Sequence, residues 1–411
     1  MSSPRSLPFR PDLEHLKSQA EVLSRAVASG DPAALDRVRA LPRPGRSPAG
    51  AHARLPLSLA LLVIAREYGF ARWPALKHAV NTRRARDQED AMQYFTLDLS
   101  KTADAAPRNP AEGDAPAAGL DAGSAASKFV ALDRAASGYR LAAAGWMDRQ
   151  AGESLADALR RFAAGHGIAT TPVVLALSGQ AVSLRPVDVD PATADQLSRA
   201  DANTVEQYLP VATNESVVAS QPLDTTGLPA DRRRLMLAAG RADAAAALRG
   251  AAREAGLACR IVDADGLALA NMFALNYGSD PAWQVPACLL NLGAAYVTVE
   301  LFTGGRLSFS RIMPLTGESI VQSPALLVAE VKRCLDFHAT AIDPAPFQKG
   351  LLAGGFAATP RLPAALSEGL ELPFELADPF RAVTIPAGGP AIPGRREAYG
   401  VAVGLALRRF V

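Results

Sequence analysis

The sequence predicts an α/β protein of two similar lobes preceded by a small all-α module. Three observations predict it. Residues 11–80 space apolar side chains three and four apart, as helices with one buried face do. From Lys128 onward, short apolar strands alternate with amphipathic helices, the pattern of a layered α/β domain. Each half of that region opens with strands joined by tight turns.

The first helix is capped by Asp12, carries Leu13, Leu16, Ala20, Leu23 and Val27, and stops at Gly30. Asp31-Pro32 opens a second helix through Leu35, Val38 and Leu41, with proline in the first turn. Residues 42–48 are a proline-rich loop. A third helix spans Leu57 to Tyr68, and Trp73 to Val80 form a short fourth. These helices set residues 1–82 apart as a module. Residues 83–127 read as a flexible linker. Their first part is charged, and 102–127 is rich in Ala, Pro, Gly and Asp with no apolar period.

FVALDRAASGYRLAAAGW then reads as two strands and a turn, and Ser154 to Gly165 as an amphipathic helix. PVVLALSG and AVSLRPVDV are strands, 192–208 is a helix ending before Pro210, and RRRLMLAAG is a strand. A helix over 242–255 closes at Gly256, and CRIVDADGLALANMF is a strand entering a helix. Three strands follow between Ala287 and Leu315, with turns at Gly293 and at Gly304-Gly305. Next come a helix over 325–338, a strand into Gly354-Gly355 and a last helix in AYGVAVGLALRRF.

Lys and Arg number 43 against 41 Asp and Glu, a net charge of +2 that lacks the basic footprint of a nucleic-acid binder. The three cysteines, Cys259, Cys288 and Cys334, exclude a disulfide scaffold and form no CxxC metal pair; each reads as a small buried hydrophobe. No stretch has the length and apolarity of a membrane span, and the first residues lack the apolar run of a signal peptide. A cytoplasmic protein is expected. His338 reads as meeting solvent or carbonyls. Arg232-Arg233-Arg234 reads as a solvated turn, and Asp263 and Asp265 as a strand-end pair whose helix-capping role outweighs a catalytic one.

Three glycine-bearing turns stand in order. They are VALDRAASGYRL, LLNLGAAYVTVEL and GLLAGGFAATP. This set resembles the phosphate hairpins and nucleoside turn of actin-type nucleotide-binding lobes. The whole of residues 128–411 resembles the PilM family of type IV pilus assembly proteins, relatives of FtsA. VEQYLPVATNESVV, LRGAAREAGLACRIVDADGLALANMF, AEVKRCLDFH and AYGVAVGLALR extend the resemblance. Residues 11–80 resemble the helical module that precedes ankyrin arrays in bacterial proteins, through RPDLEHLKSQAEVL, GDPAAL and AREYGFARWPALKHAV. No 33-residue period follows.

The resemblance implies an actin-like (ribonuclease H-like) two-lobed fold. It also implies the loss of one small subdomain, because PLTGESIVQS runs straight into PALLVAEVKRCLDF. A second small subdomain is expected over about 176–240. The implied nucleotide site is vestigial. It comprises Asp133, Ser137 and Arg140 in the first turn, Asn291, Gly293 and Ala294 in the second, and Gly354, Gly355 and Phe356 in the third. Asp133 stands where a metal-linked aspartate belongs, Ala135 replaces a glycine and Asn291 replaces the second aspartate. No cofactor is then needed, whereas ATP and Mg²⁺ belong to the active alternative.

The implied partner is a short peptide of a PilN-like single-span inner-membrane protein. Val174, Leu175, Tyr208, Leu209 and Pro210 are the docking candidates. The resulting expectation is a cytoplasmic scaffold, a pseudo-ATPase that reaches the inner membrane only through partners. A slow ATP-dependent switch and an FtsA-like polymer with self-association are the alternatives.

Overall fold

The computed structural model describes residues 13–39, 55–77, 79–80, 97, 118–136, 138–168, 171–223, 225 and 228–410. The chain divides into two compact units, residues 1–91 with 136–138, and residues 92–135 with 139–411. The expected caps and loops at Asp12 and 42–48, and Ser137, lie outside the described residues.

The first unit holds α1 (Leu13–Ala28), α2 (Pro32–Arg39) and α3 (Leu57–Glu67), with a further helical turn at residues 73–77. Leu16, Leu23, Ile64 and Leu76 make its core, and the Ser24 hydroxyl donates to the Leu55 carbonyl at 2.6 Å. Arg37 and Glu67 tie α2 to α3 through a two-pronged pair at 2.7 and 3.0 Å. Gly30 adopts φ 76°, the left-handed turn that ends α1.

The second unit repeats one sheet pattern twice. The first lobe runs β1 (Ala118–Ala122), β2 (Ala126–Arg134), β3 (Tyr139–Asp148), α4 (Leu155–His166) and β4 (Pro172–Leu177). A small subdomain interrupts it, made of β5 (Val182–Val189), α5 (Pro191–Ser198), α6 (Ala202–Tyr208), β6 (Ser216–Leu223) and β7 (Arg233–Arg241). The lobe resumes with α7 (Ala242–Glu254), β8 (Ala258–Ala264) and α8 (Asp265–Asn276). The second lobe contains β9 (Ala287–Leu292), β10 (Val297–Thr303), β11 (Arg306–Met313), α9 (Gly317–Gln322), α10 (Pro324–Ala341), β12 (Lys349–Ala353), α11 (Leu362–Leu370) and β13 (Phe374–Leu376). Then β14 (Val383–Thr384) joins the first sheet and α12 (Gly400–Ala406) closes the unit.

The strand orders are β14-β3-β2-β1-β4-β8 and β11-β10-β9-β12-β13. In each lobe an antiparallel meander is followed by two parallel strands, so β1 matches β9 and β4 matches β12. The third sheet, β5-β7-β6, belongs to the first lobe alone. In the second lobe β11 runs directly into α9 and α10, and the counterpart subdomain is missing as expected.

The linker expected over 83–127 requires correction at its end. Residues 118–127 are β1 and the start of β2, in the middle of the first sheet. Their small side chains serve packing, because a Cβ at Gly119 would fall on the Ala402 carbonyl of α12. The helix expected over 192–208 is two helices, broken where Ala200 takes φ 54°. Strand β6 is an element the sequence reading lacks.

Helix α8 lies between the two sheets and buries eleven of its residues, so its apolarity has no single face. Phe273 stacks on Phe302 of β10 with centroids 3.8 Å apart. Gly404 of α12 lets that helix cross α8 backbone to backbone, since a Cβ there would fall on the Ala268 carbonyl.

Candidate functional site

Two hairpin turns and a glycine pair face one cleft of about 410 Å³. The first turn joins β1 to β2. Antiparallel register sets Lys128 directly opposite Asp121, and their side chains pair at 2.7 Å. Gly123 is required by space, because a Cβ there would stand 2.7 Å from the Ala126 carbonyl oxygen. On the next strand Trp146 lies opposite Lys128, whose ammonium is 5.6 Å from the indole centroid. The indole N–H donates to Asp148 at 2.8 Å.

The matching turn of the second lobe joins β9 to β10. Asn291 occupies the place of Asp121 and Gly293 that of Gly123. The Gly293 N–H donates to the Tyr296 carbonyl at 3.1 Å, closing the turn. Gly354 follows β12 at φ 94°, a conformation that favours glycine. A Cβ there would sit 2.6 Å from the Leu292 carbonyl oxygen and 2.8 Å from Asn291 Oδ1. The Phe356 N–H donates to the Leu292 carbonyl at 3.1 Å, and the Phe356 ring fills the space over Gly317.

The floor is acidic. Asp265 opens α8 and is 2 % exposed, and its Oδ1 accepts the Gly266 N–H at 2.8 Å. Burial, with a smaller contribution from the nearby Asp121 charge, pushes its carboxyl up to about 7. The Tyr296 hydroxyl stands beside it and beside the Ser178 hydroxyl, and burial raises that phenol as well. Behind Asp265, Glu300 is fully buried, accepts the Ser310 hydroxyl at 2.9 Å and is raised well above the usual carboxylate range by burial.

The Asp265 shift has a definite sign. The folded value exceeds the ordinary value near 4, so the folded state favours the neutral acid. The stability it contributes is complete below about pH 4 and is lost as pH rises towards about 7. Asp265→Asn is therefore expected to melt above the parent at pH 8, with the difference vanishing near pH 4. Melting curves across that range check it, and an equal offset at every pH would refute the assignment.

Of the residues expected here, Asn291, Gly293, Ala294, Gly354, Gly355 and Phe356 all line the cleft. Asp133 and Arg140 do not. They sit opposite each other beside the β2–β3 turn, at the far end of β2 from the cleft, and pair at 3.1 Å. Asp133 also meets Arg409 at 3.4 Å. The glycine that Ala135 was read to replace is present as Gly123 on the other hairpin. The sequence signal was Asp121-Ala-Gly123 with Lys128 five residues on, inside an Ala- and Ser-rich stretch.

Asp263 is fully buried against Arg408 at 3.2 Å and takes no part in the cleft. Val174 and Leu175, expected to dock a peptide, have no exposed surface; they form the middle of β4 between β1 and β8. Leu209 is buried in the small subdomain's core, Tyr208 is half-buried and Pro210 is exposed. His338 is buried rather than solvated, with Nε2 2.8 Å from the Ser308 hydroxyl. Arg234 pairs with Asp188 at 2.6 Å. Cys288 and Cys334 are buried and Cys259 is half-buried.

A family model described as type IV pilus assembly protein PilM matches residues 119–326 and 323–410. The two segments meet where the second small subdomain is missing, and the first includes the Asp121 hairpin. Among solved structures, a PilM–PilN type IV pilus biogenesis complex is similar at 22% identity and TM-score 0.62, covering 72% of this chain and 99% of that one. A Bacteroides thetaiotaomicron protein of actin-like ATPase fold and unknown function is similar at 9% identity and TM-score 0.40, over 67% and 95% of the two chains. EutJ from Carboxydothermus hydrogenoformans is similar at 11% identity and TM-score 0.39, over 80% and 100%. No curated protein matches. The fold is the two-lobed actin-like one.

Proposed function

This chain belongs to the family of type IV pilus assembly proteins PilM, and from that premise we propose that it is an assembly scaffold with a nucleotide-holding cleft. It docks a short peptide of a PilN-like membrane partner, and the cleft binds a magnesium nucleotide without efficient turnover. The observation that carries the cleft's role is the pairing of equivalent hairpins, Asp121-x-Gly123 and Asn291-x-Gly293, around one opening with Gly354-Gly355. The residues fit the ligand. Both hairpins have glycine where a Cβ would crowd the turn, Asp121 is a carboxylate and Lys128 a cation at the first of them.

Asp121 would hold the metal side, Lys128 and the backbone of both turns the phosphates, and Gly354 and Gly355 the nucleoside. Magnesium bound with the nucleotide would neutralise charge on the phosphates. Asn291 removes one negative group from the metal side, and the missing subdomain leaves the second lobe less able to enclose the base. Both features favour holding over hydrolysis.

The docking role is supported by the similarity to a solved PilM–PilN complex and by the place of β6 in the small sheet. Strand β6 is an outer strand of the small sheet, where an extended peptide can add by backbone pairing. Among the described residues no helix is long and apolar enough to cross a membrane. In this reading the partner supplies the membrane contact. Fluorescence anisotropy of the full chain with labelled N-terminal peptides of single-span proteins encoded beside it tests the role. One peptide is expected to bind at micromolar concentration. Failure of the entire panel, in the presence and absence of Mg-ATP, would remove the docking role.

A further inference from the structure

We propose that Arg395 is the phosphate clamp of the cleft, the residue that meets the ligand's polyphosphate charge beside the Gly354-Gly355 turn. The proposal rests on the nucleotide reading and names the part of the ligand that this side recognises. Arg395 follows a loop rich in proline and glycine, residues 385–394, that leads into α12. Gly394, at φ 70°, is pressed onto the Trp146 ring; a Cβ there would lie 2.7 Å from the indole. The next residue, Arg396, is locked outside the cleft lining by Asp378, with bonds of 2.7 and 3.1 Å, and lies over the Phe380 ring. Both neighbours are thus fixed, and Arg395 projects from a held backbone.

Arg395 lines the cleft and donates to the Gly355 carbonyl. Among the described residues it has no carboxylate partner. Among the described residues the only other cation in the lining is Lys128, whose charge is already met by Asp121 at 2.7 Å. A polyphosphate entering this cleft brings several negative charges and finds, among the described residues of the lining, one cation free of an acidic partner. A guanidinium presents its donors as a planar fork that suits phosphate oxygens, and its remaining donors stay available while one is held by a carbonyl. Anchoring on Gly355 also limits the rotamer entropy lost on binding.

Titration calorimetry of the full chain with Mg-ATP, magnesium tripolyphosphate and adenosine tests this. Arg395→Ala is expected to weaken ATP and tripolyphosphate each by about tenfold to a hundredfold, the range for a charge-assisted hydrogen bond, and to leave adenosine unchanged. Arg395→Gln keeps a donor for Gly355 but no charge, and is expected to behave like Arg395→Ala. Arg395→Lys should recover part of the affinity. Full affinity in Arg395→Gln would show that the side chain only braces the Gly354-Gly355 turn, and overturn the clamp. Loss of ATP binding with tripolyphosphate unchanged would place the guanidinium on the base and overturn it too. If Asp121→Ala abolishes binding while Arg395→Ala does nothing, the clamp fails and the nucleotide reading stands. If the unmodified chain binds neither ATP nor tripolyphosphate, both fail.

Discussion

Asp121→Ala is expected to abolish the thermal stabilisation that Mg-ATP gives this chain, and Asp133→Ala is expected to preserve it. The two aspartates belong to successive hairpins of one meander, at opposite ends of β2. Only the first faces the cleft, with Gly123 and Lys128 beside it. A ligand at a hundredfold excess over its Kd stabilises by about 2.7 kcal/mol, enough to move a melting curve by several degrees. Removing the carboxylate also frees Lys128 from its partner, so Asp121→Asn, which keeps the shape, is the companion variant. Asp133 holds Arg140 and Arg409 at partly exposed positions, where such pairs are worth at most about 1 kcal/mol. Its loss should lower the baseline slightly and leave the ligand shift intact. Differential scanning fluorimetry with and without Mg-ATP reads both. A shift that survives in Asp121→Ala and disappears in Asp133→Ala would return the site to the β2–β3 turn.

The second large effect concerns stability. Asp263→Ala is expected to cost about 3–5 kcal/mol, the usual consequence of removing one partner of a buried ion pair. Arg408 is 5 % exposed and its Nη2 donates to the Leu97 carbonyl at 3.0 Å. The pair therefore ties the end of β8 to the residues after α12 and to Leu97. Urea denaturation at neutral pH measures the loss. The double exchange Asp263→Leu with Arg408→Met should recover much of it, because apolar groups of similar volume often replace a buried ion pair without penalty. A cost below about 1 kcal/mol for Asp263→Ala alone would mean that water reaches the pair.

Much of the second lobe's site was legible in the sequence. Asn291-Leu-Gly293 follows a continuous apolar run, and Gly354-Gly355 follows another. Central strands buried on both faces announce themselves in that way. The first lobe's site was not legible by the same route. Strand β1 is Ala-Gly-Leu-Asp-Ala, and its composition matches that of the Ala-, Pro- and Gly-rich residues before it. The run is small because α12 crosses β1 almost backbone to backbone at Gly119, a demand made by a helix nearly three hundred residues further along the chain. The next hairpin, with ordinary strand residues and an aspartate, drew the assignment instead. Arg395 and Tyr296 were out of reach for a related reason, since each gains its meaning from an element distant in sequence.

By itself the sequence determined the helical module, the alternation of strands and helices, the missing subdomain between β11 and α10, and the family. Those properties live in local periodicity, in glycine turns and in the order of segments, all of which are written along the chain. Tertiary structure alone decided which aspartate faces the cleft, which carboxylate is buried with an arginine and which is held near neutrality, and which arginine lines the cleft. Charge pairing, desolvation and close backbone approach depend on distance in space, and in a two-lobed fold closed by its last helix that distance bears little relation to separation along the chain.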